Sequence, residues 1–313
     1  CGAEDSPAAG IIRGMRSSLR ASFRPAVLLF AAAGILVPTA LRAEAPKAPS
    51  APAFVSGDWL EKLLPPQVVL IDARPMRDFV AAHIPGAESV SPENLRASAG
   101  GVPATLYPPE VLDAVFARVG VESAGHVVVY GNESDIDATF VATAARIAGA
   151  ACVSVLDGGF SRWKSEGRPV TAERALAQQA KPDFRGNASL LVPVREVLTR
   201  VGDGKTVFLD VRTEEQWAAG HIPGAKNRPW KKDVADGSFR PAEAIRAELE
   251  AAGISWGKPV VVYCNSGHQA SEGFYMLKYK LGHPDVRLYD GSWLEWSMTP
   301  GTPRETSAPA ETK

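Results

Sequence analysis

The sequence predicts an α/β protein made of two tandem copies of one domain, each a parallel sheet with helices on both faces. Three observations carry this prediction. Blocks of sequence recur in the same order in the two halves, short apolar runs read as buried strands, and those runs alternate with segments of helical periodicity. "LIDARPMRDFVAAHIPGAESV" from Leu70 returns as "FLDVRTEEQWAAGHIPGAKNR" from Phe208, so Asp72, Arg74 and His83 match Asp210, Arg212 and His221 at one constant offset. "HVVVYGNESD" from His126 matches "PVVVYCNSGH" from Pro259, and "LDGGFSRW" from Leu156 matches "YDGSWLEW" from Tyr289. The copies span residues 54–172 and 190–300.

Each element follows from its residues. "VVLIDA" and "TVFLDV" are apolar on both faces, as strands inside a parallel sheet are. "PPEVLDAVFARVGV" and "PAEAIRAELEAAGI" carry apolar residues at helical spacing, with proline near the start and glycine near the end. "HVVVYG" and "PVVVYC" are the next buried strands, and "DATFVATAARIAGA" and "ASEGFYMLKYKLGH" the helices that follow them. Residues 173–189 are polar and alanine-rich without a sustained apolar face, which reads as a linker that wraps rather than packs. The stretches 44–53 and 301–313 are rich in proline and alanine and are expected to be disordered.

The chain has 313 residues, 45% hydrophobic and 22% charged, with a formal net charge of -1. That is enough length for two cores, and the balanced charge supplies no global field to recruit nucleic acid. From Met15, the cations Arg16, Arg20 and Arg24, the apolar run Ala26–Val37 and the small Ala43 form the three parts of an export signal over residues 15–43. The run of about a dozen residues is shorter than the ~20 that span a bilayer, so a cleaved general secretory signal is expected, leaving no membrane span. Residues 1–14 read as an upstream extension, Cys1 falls outside the mature chain, and the mature protein is expected in the periplasm or secreted. Cys152, in "AACVSVLDGG", reads as a small core residue, and a disulfide to Cys264 in the other copy is not expected.

Cys264 ends a strand and opens a polar loop before a helix, the place where parallel α/β sheets carry their sites. Backbone N–H groups of Asn265, Ser266, Gly267, His268 and Gln269, together with the helix dipole, are expected to favour the thiolate and lower the thiol pKa. Gly267 fits a turn that needs positive φ. From this motif alone, a buried structural thiol is an equal alternative. The first copy distinguishes them: it has Gly131 followed by "NESDID", so the thiol is gone and acids crowd the loop.

On Asp210-Val-Arg212, His221-Ile-Pro-Gly-Ala225 with Asn227 and Pro229, "VVVYC" ending in Cys264, and Asp290-Gly-Ser-Trp293 followed by Glu295-Trp296, residues 54–300 resemble the two-domain rhodanese family of sulfurtransferases. The resemblance implies an inactive first copy and a Cys264 that alternates between thiolate and persulfide. It implies a small sulfur donor, thiosulfate ahead of 3-mercaptopyruvate, and cyanide or a thiol as acceptor. A persulfide carrier serving a protein acceptor is the alternative. No metal cluster, nucleotide loop or haem motif is present in the sequence, so no cofactor is implied.

The pattern also departs from the family. Residues 265–269 match neither the cationic loop of thiosulfate enzymes nor the glycine/serine loop of mercaptopyruvate enzymes, and Gln216 stands where the family carries an arginine for the substrate anion. His268, Arg228, Lys231 and Lys232 are candidates for the missing charge. Trp293 and Trp296 are expected to wall the domain interface and the pocket. His221, Asp210 and Arg212 recur in the thiol-free copy and therefore read as structural. Phosphatases of this fold need an arginine at the sixth position after the cysteine; here it is Ala270.

Overall fold

A computed structural model describes residues 52–307 apart from Ser134, residues 175–178 and Phe184. The expected export signal and Cys1 lie outside the described residues. In the first copy five parallel strands lie in the order Phe54–Val55, Cys152–Leu156, His126–Tyr130, Val69–Asp72, Glu88–Ser89. In the second the order is Val286–Leu288, Val260–Tyr263, Val207–Asp210, Lys226–Asn227, with a parallel bridge from Leu191 to Leu288 at the edge. All four residues of Val260–Tyr263 are buried, as a strand covered by helices on both sides requires. Among the described residues no helix is long and apolar enough to cross a membrane.

The copies meet through the helices that follow their central strands, Ile136–Ala148 and His268–Tyr275. Alanines and threonines on the first of these let the backbones approach, and Phe140, Phe274 and Tyr275 join one apolar core that runs through both copies. The Tyr275 hydroxyl crosses the interface to the Val153 carbonyl at 2.8 Å.

A second contact is an exchange of hairpins. The antiparallel pair Arg96–Ala99 and Val102–Leu106 leaves the first copy and places the Leu106 N–H 2.8 Å from Asp290 Oδ2. The corresponding pair of the second copy, Val234–Ala235 and Ser238–Phe239, places the Phe239 N–H 2.9 Å from Asp157 Oδ1. Asp157 and Asp290 are the same position of the repeated Asp-Gly block. Each copy therefore supports the other's Asp-Gly turn.

The repeated residues outside the loop hold turns. Arg212 forks onto Asp210 at 2.6–3.0 Å and donates to the Gly220 carbonyl; Arg74 does the same with Asp72 and Ala82. The rings of His83 and His221 each lie 2.8 Å from the carbonyl four residues earlier, Phe79 and Trp217, and stack on those same side chains.

Two expectations need correction. Residues 301–307 are folded back: Glu305 and His221 exchange backbone hydrogen bonds, Ser307 donates to Ala218, and the Trp296 indole N–H reaches the Pro303 carbonyl at 2.8 Å. The unpaired edge of the His221 turn provides these partners, which composition cannot reveal. Trp296 does not wall the interface. It is fully buried in the outer core of its own copy with Val192, Tyr263 and Tyr289.

Candidate active site

Strand Val260–Tyr263 delivers Cys264 to the junction with the helix that begins at His268. Gly267 caps that helix at φ 77°, and a Cβ there would lie 2.3 Å from Asp290 Oδ1, so both backbone and space demand glycine. The loop is clasped from the Asp-Gly block. Ser292 Oγ accepts from the Cys264 N–H at 3.1 Å and the Gly267 N–H at 3.0 Å, and donates to the Tyr289 carbonyl at 2.8 Å. Ser292 itself sits at φ 53°, a left-handed conformation that its clasp holds in place. The N–H groups of Trp293 and Leu294 complete the frame on the carbonyls of Cys264 and Asn265, both at 2.9 Å.

The Cys264 side chain is 1% exposed. Burial pushes its thiol above the ordinary value, while N–H groups of Ala270, Ser266 and Gln269 and the Ser292 hydroxyl pull the other way. The expected depression therefore gives way to desolvation. The sequence places the donors, but how tightly the loop excludes water is a property of the packed structure. Among the loop residues 265–269 only Asn265 is exposed; Gln269 Oε1 is buried without a partner.

The thiol-free copy shows what this cradle accepts. Gly131 takes the cysteine's place, and a Cβ built on it would lie 2.1 Å from Asp135 Oδ1. The Asp135 carboxylate fills the thiol's space and accepts from the N–H groups of Asn132 at 2.9 Å and Ala138 at 3.1 Å. In one copy the converging N–H groups hold a built-in anion; in the other they surround a sulfur.

Of the candidate cations, His268 Nε2 lies 2.8 Å from Asp137 Oδ1 of the first copy, off the line of a hydrogen bond, with its ring tilted against Phe140. Arg228 is buried and pairs with Asp233 at 2.5 Å and Glu248 at 2.9 Å, so its charge is already matched away from the loop. Lys231 and Lys232 are exposed on the turn Trp230–Asp233, and Lys232 pairs with Glu214 at 3.3 Å. The Trp293 indole lies over Gly220, with the Arg212 guanidinium 4.9 Å from its ring, inside its own copy. Phe160 plays the same part over Arg74 at 3.7 Å.

Sequence reasoning passed over two residues. Ser292 was legible only as part of a motif. Arg96, in a hairpin of the other copy, donates Nη2 to the Ser266 carbonyl at 2.9 Å and carried no signal at all. Beneath the loop, burial pushes Asp290 up to about 6 against the Leu106 N–H and the Arg96 charge.

Two outcomes are expected. Ser292→Ala, which leaves two buried N–H groups without an acceptor, should cost about 1–3 kcal/mol in chemical denaturation; Ser292→Gly should cost less because it relieves the left-handed backbone. For Asp290 the folded pKa lies above the unfolded one, so its contribution to stability is complete below pH about 4 and lost as pH rises through about 6. Asp290→Asn can still accept from Leu106. Its stability relative to the parent should rise over that pH window in urea titrations.

Comparison with known proteins agrees with this architecture. The sequence model of the Rhodanese-like domain matches residues 56–166 and 193–299. Relatives include the thiosulfate sulfurtransferase of Gallus gallus, 34% identical over 72% of this chain and 81% of that protein, and the sulfur carrier protein TtuD of Thermus thermophilus, 32% identical over 80% and 95%. The 3-mercaptopyruvate sulfurtransferase of Escherichia coli K12 is 29% identical over 80% and 97%. The crystal structure of the Escherichia coli 3-mercaptopyruvate enzyme SseA superposes with a TM-score of 0.72 at 28% identity, covering 78% of this chain and 99% of SseA. With both halves matched and the repeat, sheets and loop in the family's arrangement, the chain belongs to the rhodanese family of sulfurtransferases.

Proposed function

We propose that this sulfurtransferase moves a sulfane sulfur through a persulfide on Cys264, with thiosulfate ahead of 3-mercaptopyruvate as donor and cyanide or a thiol as acceptor. The observation that carries this reading is the cradle itself. As the N–H groups of Asn132 and Ala138 hold the Asp135 carboxylate in the first copy, those of Ser266, Gln269 and Ala270 face Cys264 in the second, and they favour a negatively charged sulfur against the burial that opposes it.

The Cys264 thiolate attacks the outer sulfur of thiosulfate. The new S–S bond forms as the old one breaks, and sulfite departs with the bonding electrons. The terminal sulfur of the persulfide carries the charge into the N–H cradle. Cyanide carbon or a thiolate then attacks that sulfur and Cys264 leaves as thiolate, releasing thiocyanate or a new persulfide. The two displacements are separate, so ping-pong kinetics follow. Because burial holds the resting thiol above its ordinary pKa, the donor half-reaction should quicken as pH rises.

The burial of Cys264 favours a second reading, that of a carrier whose loop opens only on a protein acceptor. Incubating the protein with each donor and weighing it should show one added sulfur, retained by Cys152→Ser and absent from Cys264→Ser. A sulfur still acquired by Cys264→Ser overturns the assignment, and turnover seen only with a protein acceptor selects the carrier.

We also propose export to the periplasm or beyond, on the arginine, apolar and alanine pattern of residues 15–43. Expression of the full chain in a Gram-negative host should yield a periplasmic product whose N-terminus follows Ala43. Recovery from the cytoplasm with Arg16 to Ala43 intact would overturn it.

A further inference from the structure

Both donors named above are anions, and among the described residues Arg212, Arg228, Lys232 and His268 of the second copy each already face a carboxylate, while Lys231 is exposed on the turn Trp230–Asp233. Gln216, at the position of the family arginine, closes the capping box of helix Glu214–Ala219: its N–H donates to Thr213 Oγ1 and its side-chain oxygen accepts from the Thr213 N–H. Arg212 is committed to Asp210, Arg228 to Asp233 and Glu248, and His268 faces Asp137.

The basic group that does reach the loop comes from the copy without a thiol. Arg96 opens the hairpin strand Arg96–Ala99, and its guanidinium lies 4.3 Å from the Phe140 ring centroid, which fixes its plane. Nη2 is engaged by the Ser266 carbonyl, but Nε is buried with no partner, and among the described residues no carboxylate pairs with this arginine. Burial pushes the guanidinium below its usual value, opposed at longer range by the carboxylates of Asp290, Glu93 and Asp137 and by Cys264 when it is a thiolate. A desolvated, unpaired guanidinium is costly unless an anion arrives to meet it. Holding the Ser266 carbonyl needs only a neutral donor, so the loop contact alone does not account for the charge.

We infer that Arg96 binds the anionic group of the sulfur donor beside Cys264, taking over the task of the arginine that Gln216 replaces. The assignment rests on the sulfur-transfer reading above. The catalytic loop and the substrate cation then belong to different copies, and the charge spread over the planar Arg96 guanidinium is what the sulfonate or carboxylate of the donor meets.

The test uses the full-length protein in steady-state assays with thiosulfate as donor and 2-mercaptoethanol, which has no charge besides its thiol, as acceptor. In ping-pong kinetics kcat/KM for each substrate reports its own half-reaction. Arg96→Gln keeps a donor for the Ser266 carbonyl and removes the charge; kcat/KM for thiosulfate should fall about 10- to 100-fold while kcat/KM for the thiol changes less than about threefold. Arg96→Lys should recover part of the loss and guards against a folding defect in the first variant. An equal fall in both half-reactions, or no fall for thiosulfate, overturns the inference and leaves Arg96 as a loop clamp. A wild type that takes sulfur from no donor overturns the sulfur-transfer reading itself, and this assignment with it.

Discussion

Backbone N–H groups converging at the end of a buried strand are a fixed positive potential that cannot be switched off, and the rest of this protein is arranged around what faces it. Unpaired, such donors would cost free energy in each copy. The first copy satisfies them with the Asp135 carboxylate, covalently part of the loop and unable to react. The second leaves them facing Cys264 and takes its rigidity from Ser292, a side chain in the neighbouring Asp-Gly block. In the first copy Gly159 occupies the Ser292 position at a nearly identical φ of 54°, and the loop is held instead by the Asp135 carboxylate and by the Phe160 and Ser161 N–H groups on the Gly131 and Asn132 carbonyls.

The surroundings of the Cys264 loop also tie the two copies together. The Asp290 carboxylate beneath Gly267 is steadied by an N–H from the other copy's hairpin, and that hairpin carries Arg96 to the loop. The first copy has lost its thiol but contributes Arg96, Asp137 and the Leu106 N–H to the surroundings of Cys264. Its retained folding residues, the Asp72–Arg74 fork and the His83 turn, keep these groups in place.

The fold was legible in sequence, and the candidate cysteine could be singled out there, because both are written in local, repeated patterns. Two copies of a short buried strand followed by a helix need no long-range information, and the replacement of cysteine by Gly131 in one copy is a difference between aligned residues. What sequence left obscure depends on contact between distant segments. The hairpin exchange brings Arg96 to Ser266 across 170 positions, and nothing in "PENLRASAGG" announces it. The direction of the thiol pKa was misjudged for the same reason: the loop's donors can be counted from its residues, whereas its exclusion of water arises only once both copies are packed.

The carboxylate in the first cradle has a consequence for the history of the repeat. A cysteine at position 131 and Asp135 in its present rotamer cannot coexist, since even the Cβ would collide with the carboxylate. A thiol at position 131 needs that carboxylate moved or removed, and a side-chain clasp like that of Ser292 would lack room at Gly159, where a Cβ would lie 2.7 Å from the Gly131 carbonyl oxygen. The loop of the first copy is built around its own carboxylate, and a thiol returned to position 131 would first have to displace it.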